Sequence, residues 1–132
     1  MFEVSNHNIL EQVGPNLAVA LLMQGKKVEA GLILASAESN VRSRLYNAPG
    51  DRDLLWDLAR IRAAQGRKES AIDLVRQARA KGWLPDGIWY PLDIAQEPTF
   101  RSHVGDPRFI AVRRQILAHI ARERSELGPV RI

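Results

Sequence analysis

Leu58-Ala59, then Gln65-Gly66-Arg67-Lys68, then Ala71: this stretch occurs twice. Forty-one residues upstream stand Leu17-Ala18, Gln24-Gly25-Lys26-Lys27 and Ala30, with identical internal spacing. Self-similarity at a fixed period is the mark of stacked supersecondary units, so it decides the fold before any single element is assigned. Within each copy an apolar run of helical spacing leads into the glycine: Leu17, Leu21 and Met23 in one, Leu55, Leu58 and Ile61 in the other. A glycine there stops a helix, because it takes the left-handed conformation without a Cβ penalty. A second helical run follows, through Val28, Leu32, Ile33 and Ala37 or through Ile72, Val75 and Ala78. Each copy therefore reads as an antiparallel helix hairpin, with Ala30 and Ala71 at the closest approach of the paired helices.

Outward from the repeats, breakers mark the remaining boundaries. Asn47-Ala48-Pro49-Gly50 separates the hairpins, and Asp51 is placed to cap a helix from Arg52. Gly82 ends the fourth helix, with Trp83 placed for the apolar contact that accompanies such a stop. Pro85, Gly87, Pro91 and Pro98 break up residues 84–106, where turns and one or two short helices are expected. Asp106-Pro107 opens a last helix with Phe109, Val112, Ile116, Leu117 and Ile120 on one face, and Gly128-Pro129 closes it. The spacing predicts helices near Asn8–Gln24, Lys27–Tyr46, Arg52–Gln65, Lys68–Lys81 and Pro107–Glu126, with Pro15 as a place where the first could split. The expected architecture is all-α, in one domain spanning 1–132. Repeat 1 covers about 8–46, repeat 2 about 52–81, the irregular segment 84–106, and a C-terminal capping helix 107–126.

At these residues the chain resembles a tetratricopeptide repeat. Leu58, Ala59, Gly66, Ala71 and Ala78 match that family's pattern, and Leu17, Ala18, Gly25, Ala30 and Ala37 match it again. It departs in having Leu21 and Arg62 at the helix A aromatic position, no closing proline in the expected place, and a 41-residue period instead of about 34. The tail carries Glu97-Pro98-Thr99-Phe100 and Asp106-Pro107-Arg108-Phe109. Such paired motifs after a degenerate repeat resemble the C-terminal end of bacterial multidomain regulators of the winged-helix type. The resemblance implies a short solenoid whose helix A lines a concave partner-binding groove through Asp53, Trp56, Arg60 and Ala63. It also implies a role in transcriptional regulation or signalling, in the cytoplasm or on the periplasmic side of a membrane-anchored regulator.

The residues give no enzyme. His7, His103 and His119 share no ligand spacing, so neither a metal nor another cofactor is expected. Asp51, Asp53 and Asp57 cluster where a helix dipole favours acids. Gly25-Lys26-Lys27 lacks the upstream glycine and the hydroxyl of a phosphate loop, and no serine sits in a nucleophile elbow. With no cysteine there is neither a disulfide framework nor a thiolate site. Trp83, Trp89 and Tyr90 are expected to fasten the irregular segment onto the helices.

The reading that remains is a protein-interaction or ligand-sensing module whose partner is a protein, a peptide or another domain of the same polypeptide. Leu10, Val13, Leu17, Leu21 and Leu22 cover more than one side of the first helix, so a homodimer through the N-terminal helices is expected. An alternative is a nucleic-acid-binding helical domain. The net charge is +4, and its excess lies wholly in residues 67–132, where Arg108, Arg113, Arg114, Arg122 and Arg124 form a partial stripe interrupted by Glu123 and Glu126.

Overall fold

The computed structural model describes the backbone of residues 2–127 and the side chains of residues 13–127. Among these the chain is all-helical. The α-helices are α1 (Phe2–Met23), α2 (Lys27–Asn47), α3 (Arg52–Ala64), α4 (Lys68–Ala80) and α5 (Pro107–Leu127), with short 3-10 helices at Ile94–Gln96 and Pro98–His103. The first helix starts earlier than the spacing predicts and runs through Pro15 unbroken. Proline there removes one i→i−4 hydrogen bond. Gly14 and Pro15 are both buried, so packing holds the helix where the backbone bond is lost.

The two hairpins are built by the same local chemistry. Gly25 and Gly66 adopt φ of 79° and 78°. Lys26 N–H donates to Leu21 O and Arg67 N–H donates to Arg62 O, each across 2.9 Å. This pairing satisfies carbonyls that the helix end would otherwise leave open. Gly82 repeats it, with Trp83 N–H donating to Ala78 O. Ala18, Ala30 and Ala37 are fully buried, as are their equivalents Ala59, Ala71 and Ala78, so small residues sit at both helix crossings. Asp51 caps α3 by accepting from the N–H groups of Asp53 and Leu54.

The hairpins stack, and α3 is the middle of the stack. Leu54, Leu58, Ile61 and Ala64 bury against Ala18, Ala30, Leu34, Ala37 and Val41 of the first hairpin. On its other side Leu55, Trp56, Ala59 and Ala63 join Ile72 and Val75 of α4, Trp83, Ile94, Phe100, and Phe109, Val112 and Ile116 of α5. The paired tail motifs meet here. Phe100 and Phe109 lie 5.4 Å apart, and Trp56 stacks between Trp83 at 4.1 Å and Phe100 at 5.6 Å.

Candidate functional site

The expected groove on α3 is filled by the chain itself. Trp56, Arg60 and Ala63 are buried, and only Asp53 is exposed. The irregular segment lies over them because it carries the side chains that complete the core, and a partner cannot reach Trp56 without displacing Phe100 or Trp83. Arg60 Nε donates to Glu97 Oε1 at 3.0 Å, and Thr99 Oγ1 donates to the same oxygen at 3.2 Å. Arg60 also donates to Asn16 Oδ1 on α1 and lies 4.8 Å from the Tyr90 ring. The Tyr90 hydroxyl donates to Asp57 Oδ1. Burial first, then the Asp57 charge, pushes the Tyr90 hydroxyl above its ordinary pKa. A buried charge must be paired and hydrogen-bonded, and Arg60 is both. The network makes the tail a structural clamp on α3.

Of the three aromatics expected to fasten this segment, Trp83 and Tyr90 do so and Trp89 does not. The Asp86 carboxylate accepts from the N–H groups of Ile88, Trp89 and Tyr90, and the turn it builds leaves Trp89 exposed.

The open apolar surface is on the first hairpin. Adding 41 to Val13, Leu17 and Ala20 gives Leu54, Leu58 and Ile61, the face of α3 that packs on the preceding hairpin. Leu54 is 4% exposed and Leu58 7%, whereas Val13 is 51% exposed and Leu17 47%. Ala20 is exposed where Ile61 is buried. On α2 the exposed Val28, Leu32 and Ala35 stand where α4 has Glu69, Asp73 and Arg76. The apolar character of α2's outer face is therefore not a requirement of the hairpin. Leu10 and His7 lie outside the described side chains. A shallow, mostly apolar cavity of about 410 Å³ adjoins α1, lined by Val19, Leu22, Met23, Ala63 and Pro98, with Arg101 at its rim.

The basic residues of α5 divide into two sets. Arg113 is bound in a fork to Asp93 at 2.6 and 2.7 Å, which ties α5 to the cap of the first 3-10 helix. Arg108 pairs with Asp106 and lies 3.8 Å from Glu69. Arg114, Arg122 and Arg124 are exposed. His103 is buried and reaches the Ala63 carbonyl, so Nε2 donates. His119 accepts from Arg79 at Nδ1 and must donate from Nε2 to Glu123.

Among the described residues no group of histidines, aspartates and glutamates could hold a metal ion, and no helix is long and apolar enough to cross a membrane. Compared with protein-family models, with curated proteins and with solved structures, the chain matches none.

Sequence reasoning missed the pairing of Arg60 with Glu97 and Asn16. One signal was present: Arg60 lies between the apolar residues Ala59 and Ile61, and the acid of the Glu97-Pro98-Thr99-Phe100 motif is its partner.

Proposed function

We propose that this chain is a protein-interaction module of tetratricopeptide-like build, and that it binds through α1 rather than through a groove on α3. The observation that carries the reading is the exposure of Val13, Leu17 and Ala20 at the positions whose repeat equivalents are buried against a hairpin. In a stack of repeats each unit buries its apolar face only against neighbours. The occupant of the α1 face in the isolated chain is a second copy. Residues 13–24 of α1 carry no charge, so a two-fold contact centred on them brings no like charges together. By its resemblance the module belongs to a bacterial regulator and acts in transcription or signalling in the cytoplasm.

The test is light scattering over a concentration series. A dimer that dissociates on dilution, and is lost in Leu17→Asp, is expected. A strict monomer at high micromolar concentration overturns the self-association reading. Nucleic-acid binding through α5 has less support, because Arg108 and Arg113 are already engaged with carboxylates.

A further inference from the structure

A second surface lies at the opposite end of the stack, between α4 and α5. Arg108, Ala111, Gln115, Ala118 and Arg122 recur at helical spacing along the exposed side of α5. Two adjoining hollows follow this stripe and share Gln115. One, of about 570 Å³, is lined by Arg79, Gly82, Ala118 and Arg122. The other, of about 180 Å³, is lined by Arg76, Arg108 and Ala111. Fourteen residues separate Arg108 from Arg122, which at helical rise is about 21 Å of furrow.

The furrow holds more positive charge than its surroundings neutralise. Among the described residues no carboxylate makes an ion pair with Arg76, Arg79 or Arg122. Arg79 spends one nitrogen on the neutral face of His119, and its Nε is buried with no hydrogen-bond partner. Between the arginines the lining is mostly small, with Ala80, Gly82, Ala111 and Ala118 beside Val112 and Gln115.

We propose that the α4–α5 furrow docks an acidic segment of a partner protein, whose carboxylates meet Arg76, Arg79 and Arg122 while its small apolar side chains lie on Ala111 and Ala118. A nucleic acid fits less well. No aromatic ring lines the furrow to stack the bases of a single strand. Complementary charge of this kind governs encounter and register more than raw affinity.

The experiment titrates a labelled peptide of alternating glutamate and alanine, and separately a labelled DNA duplex, into the chain and three charge reversals. Arg76→Glu and Arg122→Glu lie in the furrow; Arg124→Glu removes the same charge from another side of α5. All three sites are on the surface, and circular dichroism confirms that each variant is folded. Each furrow variant is expected to weaken the peptide about tenfold, with Arg124→Glu close to the parent chain. Equal loss in all three, no binding of the peptide, or tighter binding of the duplex would each overturn the proposal. Leu17→Asp is expected to leave peptide binding intact, so this surface and the α1 face fail or stand separately.

Discussion

Arg60 and Glu97 form an ion pair from which water is excluded on both sides, although 37 residues separate them in the chain. Removing one member leaves the other charged and buried. Glu97→Ala is therefore expected to cost about 3–5 kcal/mol in a urea melt, and Glu97→Gln less, since its amide oxygen still accepts from Arg60. A loss below about 1 kcal/mol for Glu97→Ala would show that the pair does not hold the tail in place.

Leu17 and Leu58 share a repeat position and should respond oppositely to one substitution. Leu58→Asp places a carboxylate against Leu34 and Val41 and is expected to destabilise the fold by on the order of 4 kcal/mol. Leu17→Asp should leave the melting temperature of the monomer nearly unchanged and abolish self-association. Equal destabilisation by both would mean that Leu17 is a core residue.

Ala71 tests the hairpin crossing. It is fully buried at the start of α4, and Ala71→Leu adds three carbons where paired helices meet. The expected cost is roughly 1–3 kcal/mol by overpacking. A neutral result in a denaturant melt would put the crossing elsewhere.

The fork from Arg113 holds the Asp93 carboxyl below the usual carboxylate range, against a smaller burial penalty and with help from the Ala95 N–H. A carboxylate with a depressed native pKa stabilises the fold above its unfolded pKa, and that contribution is lost as pH falls through the native value. Asp93→Asn should therefore be less stable than the parent chain near neutral pH. The gap should close on acidification below about pH 4. Melting curves of both proteins across that range check the sign; a gap that widens at low pH contradicts the pairing.

What could be read from the sequence was local. The stops at Gly25, Gly66 and Gly82, the Asp51 and Asp106 caps and the buried alanines follow from residues a few places apart, and each stands where the spacing predicts, while Gly128-Pro129 lies outside the described residues. The fate of Trp56 was not local. Its repeat position points to a groove, but its neighbours Trp83, Phe100 and Tyr90 arrive from 27 to 44 residues downstream. The same holds for Arg60, whose partners come from α1 and from the tail. The exposed α1 stripe was partly legible as excess apolar surface. Only the burial of Leu54, Leu58 and Ile61 shows which packing that stripe is fit for.

The reach of Arg60 has a consequence for how the chain comes apart. A row of hairpins with nearest-neighbour contacts alone frays from its ends, unit by unit. Here one guanidinium is bonded at once to Asn16 in the first helix and Glu97 in the last third of the chain. Peeling off either end strips that cation of a partner while it is still enclosed, so partial melting is penalised from both directions. The chain should lose its structure in a single all-or-none transition, with the first hairpin and the tail released at the same denaturant concentration.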